Sequence, residues 1–128
     1  NHTFRVAFSE AFPTIMADET RVEQVIRNLI SNAIKYSDGG EICISGEKRP
    51  QLIIVCVSDQ GAGIAPQDIP YVFDRFYRSA EAVRSQKGAG LGLYLAKAII
   101  EAHNGKIWID TEHRSGAKIC FSLPIEST

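Results

Sequence analysis

Thr20-Arg21-Val22-Glu23-Gln24-Val25-Ile26-Arg27-Asn28-Leu29-Ile30-Ser31-Asn32-Ala33-Ile34-Lys35-Tyr36 is the stretch from which the fold is read. Val22, Val25, Ile26, Leu29, Ile30, Ala33 and Ile34 recur at helical spacing, which predicts a helix over about residues 19–36 with one apolar stripe to bury. Asp18 or Thr20 can cap its start, and Thr20 with Glu23 fits a capping box. Ser37-Asp38-Gly39-Gly40 then forms a turn cluster that a helix does not easily cross.

Strands surround this helix. Before it, Phe4, Val6 and Phe8 alternate with Thr3, Arg5 and Ala7, the pattern of a half-buried strand over about residues 3–9. After it come two strands, about 41–46 and 51–58, joined through Lys48-Arg49-Pro50 as a hairpin. Leu52 to Val57 is apolar on both faces, which suits a central strand covered on both sides or bordering a ligand pocket. A second helix is predicted at about 91–103, with Leu91, Leu95, Ala98, Ile99 and Ala102 on one face and Asn104-Gly105 as its C-terminal cap. The chain closes with a strand pair at about 105–111 and 116–124. Hairpins with two long helices and no regular βαβ alternation imply an α+β two-layer sandwich, its helices stacked on one face of a mixed sheet.

The 128 residues carry 14 Lys and Arg against 15 Asp and Glu, so a net charge of −1 gives no general attraction to nucleic acid or an anionic membrane. A 45% hydrophobic composition suffices for one domain's core without staples or metal. No apolar run approaches the ~18 residues of a membrane span, so no direct membrane contact is expected of this domain. The sequence opens at Asn1 without a methionine and can belong to a longer, membrane-anchored parent. Cys43, Cys56 and Cys120 lack metal-ligand spacing and are expected as free, mostly buried thiols of a reducing compartment. His2, His103 and His113 adjoin no nucleophile and are expected to be structural or surface groups.

Four segments carry chemistry-bearing residues. Asn28, Asn32 and Lys35 share one side of the first helix with Tyr36 one position on, and amide oxygens plus an ammonium suit a hard cation bridging phosphates. A solvated surface would use the same residue types. Asp59 ends the apolar strand and opens Asp59-Gln60-Gly61-Ala62-Gly63-Ile64, where a carboxylate can accept from an exocyclic amine and glycines admit a flat ring; an ordinary turn is the alternative. Phe73-Asp74-Arg75-Phe76-Tyr77-Arg78 lies in a predicted short helix over about 71–78, aromatic on one side and cationic on another, fit for core packing, docking or a phosphate contact. Gly88-Ala89-Gly90-Leu91-Gly92-Leu93 opens the second helix, where free N–H groups can meet an anion; its spacing matches neither the dinucleotide fingerprint nor a Walker A loop.

In this order the segments resemble the N, G1, F and G2 boxes of the ATP-binding catalytic domain of bacterial sensor histidine kinases, and the resemblance covers essentially the whole chain. It implies a Bergerat-type sandwich: a mixed, mostly antiparallel sheet of about five strands, about three helices on one face, and a flexible lid over about 60–92. It further implies that Asn32 coordinates Mg²⁺, that Asn28 and Lys35 lie at the phosphates, and that Tyr36 flanks the adenine. Asp59 would bind the adenine amine, with Gly61, Gly63 and Ile64 shaping the base pocket. Gly88, Gly90, Leu91 and Gly92 would hinge the lid and offer N–H groups to the phosphates, while Arg78 would reach the γ-phosphate and Phe73 and Phe76 would dock a partner. Gln60 and Ala89 depart from the pattern, standing where Asn and Ser or Thr are frequent.

Gyrase-type, mismatch-repair and chaperone ATPases share the fold but carry a water-activating glutamate where this chain has Asn28, so a kinase is favoured over an ATPase. The F box disfavours a serine kinase of the same superfamily. A degenerate module that holds nucleotide only to regulate a partner is the remaining alternative. The expected partners are the protein's own dimerisation and histidine-phosphotransfer domain, outside this sequence, and a response regulator. The expected setting is cytoplasmic, under a parent anchored in the bacterial inner membrane.

Overall fold

A computed structural model of the chain describes residues 2–8, 17–37, 39–75, 92–112 and 116–125. Strand β1 (His2–Phe8) leads to helix α1 (Glu19–Tyr36), then β2 (Gly40–Lys48) and β3 (Leu52–Ser58). A 3-10 turn (Ile69–Tyr71) precedes helix α2 (Gly92–Ala102), β4 (Lys106–Ile109) and β5 (Lys118–Pro124). The five strands form one sheet in the order β1-β2-β3-β5-β4. Only β1 and β2 are parallel, and α1 is the crossover between them. The α+β mixed sheet expected from the sequence is therefore present.

Helix α1 starts where the side chain of Asp18 accepts from the Arg21 N–H at 3.2 Å, which selects Asp18 over Thr20 as the cap. Lys35 places a positive charge in the last turn, where it complements the helix dipole. Beyond the end of helix α2 at Ala102, Asn104 adopts φ 64° and the Gly105 N–H returns to the Ile100 carbonyl at 2.9 Å; both are features of a C-terminal cap.

Both helices lie on one face of the sheet. Val25, Leu29 and Ala33 of α1 and Ala96 and Ile100 of α2 meet Ile42, Ile53, Val55, Val57, Ile119, Phe121 and Leu123 in a single cluster. Helix α1 packs over β2 and β3, and α2 over β4 and β5. Strand β3 is central, as its two-sided apolar run requires.

Three expectations need correction. Strand β1 is not half-buried: Phe4, Val6 and Phe8 are 54%, 67% and 42% exposed, because β1 is an edge strand beyond the strands that the helices cover. The short helix expected over 71–78 is, through residue 75, the end of a 3-10 turn followed by turns, with Pro70 near its start; 76–78 lie outside the described residues. Among the described residues there are thus two α-helices and one 3-10 turn. Finally, Cys56 and Cys120 are joined as a disulfide, since the register of β3 and β5 sets them directly opposite each other; Cys43 is free.

Phe121 is fully buried at the centre of this core. Phe121→Ala should cost about 3–5 kcal/mol, read as a lower urea midpoint at unchanged m.

Candidate nucleotide site

The end of β3 and the start of β5 together hold Asp59. Its backbone N–H donates to the Ala117 carbonyl at 2.9 Å. Its Oδ1 accepts from the Gly61 N–H at 2.8 Å and the Ala117 N–H at 3.2 Å. The residue is only 6% exposed, and no described residue donates to Oδ2. A buried carboxylate oxygen without a donor is costly unless a ligand supplies one, and an amine of a flat base is such a donor.

Glycines close the space around it. Gly116 has φ +79°, and a Cβ there would overlap the carbonyl and carboxylate oxygens of Asp59. Gly63, at φ +82°, comes so near that a Cβ would stand 3.0 Å from the Gly116 carbonyl oxygen. The sequence reading found Asp59, Gly61 and Gly63 but missed Gly116 and Ala117. The only local signal was a glycine before a strand, a pattern any turn produces.

Gln60 connects this loop to the end of α1. Its Oε1 accepts from the Glu41 N–H at 3.0 Å, just after the turn that follows the helix. At that turn the Ser37 hydroxyl donates to the Ala33 carbonyl at 2.7 Å, and the Gly39 N–H donates to His2 Nε2 at 3.2 Å. The longer Gln side chain, standing where Asn is frequent in the family resembled, thus has a defined structural role.

On α1, Asn28 Nδ2 donates to the Gly92 carbonyl at 3.2 Å, bringing the first helix's polar side to the first residue of α2. Asn32 is partly exposed and has no side-chain hydrogen bond to another described residue, while Lys35 is exposed. The backbone of Tyr36 completes the helix. At the far end of the pair, His103 Nε2 accepts from the Asp18 N–H at 3.2 Å and its Nδ1 reaches the Ile99 carbonyl at 2.9 Å, so the helices are joined at two points. His103 is structural, as expected.

Ile64 is partly exposed beside the glycine loop. Phe73 is half-buried against the core, and the Arg75 guanidinium stands 6.0 Å from the Tyr94 ring centroid. Phe76, Arg78, Gly88, Gly90 and Leu91 lie outside the described residues. Among titratable groups, Arg5 has its pKa raised, first by its hydrogen bond to Glu41 at 3.0 Å and then by the charges of Cys43 and Glu41. It stays protonated throughout the ordinary pH range and lends the domain no pH dependence there.

Comparison with known proteins gives this arrangement its class. The family model for histidine kinase-, DNA gyrase B-, and HSP90-like ATPases matches residues 17–127, and the chain belongs to that family. The sensor histidine kinase WalK of Bacillus subtilis (strain 168) is 43% identical over 111 residues, covering 84% of this chain and 18% of that protein. The mycobacterial sensor histidine kinase MprB superposes with a TM-score of 0.85 at 31% identity, covering 98% of this chain and 85% of that one. Full-length ShkA in complex with AMPPNP gives 0.84 at 28% identity, covering 98% of this chain and 26% of that one. Within the family, this is the ATP-binding catalytic domain of a sensor histidine kinase, and it spans about a fifth of the curated relatives' length.

Gly116→Ala places a Cβ against Asp59 in a left-handed conformation. It should cost about 1–3 kcal/mol of stability in urea unfolding, with the Ala117 and Gly61 amides exchanging faster with solvent deuterium.

Proposed function

We propose that this domain binds ATP with Mg²⁺ and donates its γ-phosphoryl group to a histidine on a separate helical dimerisation domain, as the catalytic part of a two-component kinase. The observation that carries the reading is Asp59, 6% exposed: one carboxylate oxygen is pinned by two N–H groups, and no described residue donates to the other. A neighbouring fold, ShkA, is described in complex with AMPPNP, a triphosphate analogue.

In this reading Asp59 accepts from the adenine amine, with Gly61, Gly63 and Ile64 against the ring and Tyr36 beside it. Asn32 offers an amide oxygen to the cation, while Asn28 and Lys35 meet the phosphates. No three His, Cys, Asp or Glu side chains gather as a metal cluster among the described residues, which fits an ion shared with the triphosphate rather than one held by the protein alone. Mg²⁺, when bound, would neutralise phosphate charge.

The N–H groups at the start of α2, with Gly88, Gly90, Leu91 and Gly92, serve the phosphates, and the segment over about 60–92 acts as the lid. Arg78 supports the γ-phosphate, and Phe73 and Phe76 contribute to docking the acceptor domain. The acceptor imidazole nitrogen attacks the γ-phosphorus, the bond to the β–γ bridging oxygen breaks, and ADP leaves with that oxygen. Catalysis then rests on positioning and charge stabilisation. Asn28 supports this over water activation, because an amide that donates to the Gly92 carbonyl is no general base.

A response regulator would receive the phosphoryl group. No described helix is long and apolar enough to cross a membrane. A cytoplasmic position beneath an inner-membrane anchor is part of the proposal for the parent protein.

Calorimetric titration should show saturable binding of ADP and of a non-hydrolysable ATP analogue, the latter weaker without Mg²⁺. Asp59→Asn should weaken both by about 10- to 100-fold, the worth of one hydrogen bond to a charged group. Added in trans, the parent's acceptor domain should gain acid-labile phosphohistidine. Tight binding without phosphohistidine would favour the regulatory module, and no binding at millimolar nucleotide would end the kinase reading.

A further inference from the structure

The nucleotide site leaves the three cysteines unused, and all three stand on the sheet face opposite the helices. Ile42, Val55, Val57, Ile119 and Phe121 point into the core, so the alternation of β2, β3 and β5 turns Cys43, Cys56 and Cys120 the other way. Cys56 and Cys120 are register partners with Cα atoms 4.1 Å apart, and they are disulfide-bonded across 64 residues of sequence. Cys43, partly exposed and free, lies opposite Ser58 and therefore diagonal to Cys56. Arg5 is its register partner on β1.

The bridged strands are the ones that build the Asp59 site. Asp59 follows β3 directly, and Ala117, which donates to its Oδ1 and accepts from its N–H, directly precedes β5. The disulfide thus fixes the spacing of two strands a short way before the point where they hold the carboxylate. When the bond is broken, the two sulfurs separate to van der Waals contact, and Asp59 and Ala117 each lie three residues from one of these cysteines, joined to each other backbone to backbone. The 3.2 Å contact from the Ala117 N–H to Oδ1 is the longer of that oxygen's two hydrogen bonds.

We propose that Cys56 and Cys120 form a reversible redox staple that regulates nucleotide affinity through Asp59. The proposal rests on the nucleotide reading above. Its oxidant is a low-molecular-weight disulfide, RSSR. The thiolate of Cys56, the more exposed of the pair, attacks one sulfur of RSSR and expels RS⁻. The thiolate of Cys120 then attacks the Cys56 sulfur of this mixed disulfide and expels a second RS⁻. Two protein thiols and RSSR become a protein disulfide and two RSH, with two electrons passing to the small disulfide. A small dithiol runs the same steps backwards. Cys43 takes no part in the bond.

The chain is equilibrated with oxidised glutathione or with dithiothreitol, and each form is measured in three ways. Peptide mapping after alkylation should find Cys56 linked to Cys120, with Cys43 alkylated, in the oxidised form only. The thermal midpoint should rise on oxidation by roughly 10 °C, as expected for closing a loop of this length. ADP should bind about two- to ten-fold more tightly to the oxidised form, the range set by one hydrogen bond at Asp59. The double variant Cys56→Ala/Cys120→Ala should erase both differences, and Cys43→Ser should keep them.

Equal ADP affinity in the two forms, a disulfide that includes Cys43, or a persistent affinity difference in the double variant would overturn the proposal. If neither form binds ADP, the nucleotide reading fails, and regulation of Asp59 fails with it; the mapping and the thermal shift then still decide whether the staple itself forms.

Discussion

The structure depends on the apolar core that two helices form against one face of the sheet. The stripe Val25, Leu29, Ala33 and the pair Ala96, Ile100 press against β2, β3 and β5, and Phe121 at their centre is sealed completely. The two described helices pack over β2, β3, β4 and β5, and the edge strand β1 keeps Phe4, Val6 and Phe8 exposed. The side chains facing away from the helices on the central strands include Cys56, Cys120 and Ser122, which are buried as well, and Ser45, which is partly exposed.

The polar groups follow from the same arrangement. A helix that buries one stripe must present its flank at the layer's edge, and there Asn28 meets the first residue of α2. Asp59 stands where the central strand runs out, so backbone donors that would otherwise continue a sheet ladder are available to its carboxylate. The fold and the placement of the carboxylate therefore share one residue: the Ala117 carbonyl accepts from the Asp59 N–H, and the Ala117 N–H donates to the Asp59 carboxylate. Substitutions around Gly116 touch both properties together.

How much of this was legible beforehand depended on the range of the interaction. Helix α1 was readable because its period, cap and stop are all local, and its observed bounds are those of the pattern. Asp59, Gly61 and Asn28 stand out from residue type and order alone, and the hydrogen bond between Asp59 and Gly61 is short-range. Strand β1 alternates as a half-buried strand does, but its burial depends on where the helices sit, and no residue in it records that. The Cys56–Cys120 bond was hidden for a similar reason, since it depends on the register of strands distant in sequence. Gly116 and Ala117 matter only because β5 returns beside β3.

That return has a consequence for biosynthesis. The central ladder pairs Leu52 with Pro124 and Ser58 with Lys118, so the middle of the sheet closes with the last of its five described strands in chain order. While the ribosome extends the chain, the apolar run of β3 has β2 on one side and nothing on the other, a template for pairing with a neighbouring nascent chain. The domain's heaviest demand on chaperones thus falls between the emergence of Val57 and that of Phe121, and a transcript truncated before β5 would yield a sticky fragment rather than a smaller folded protein.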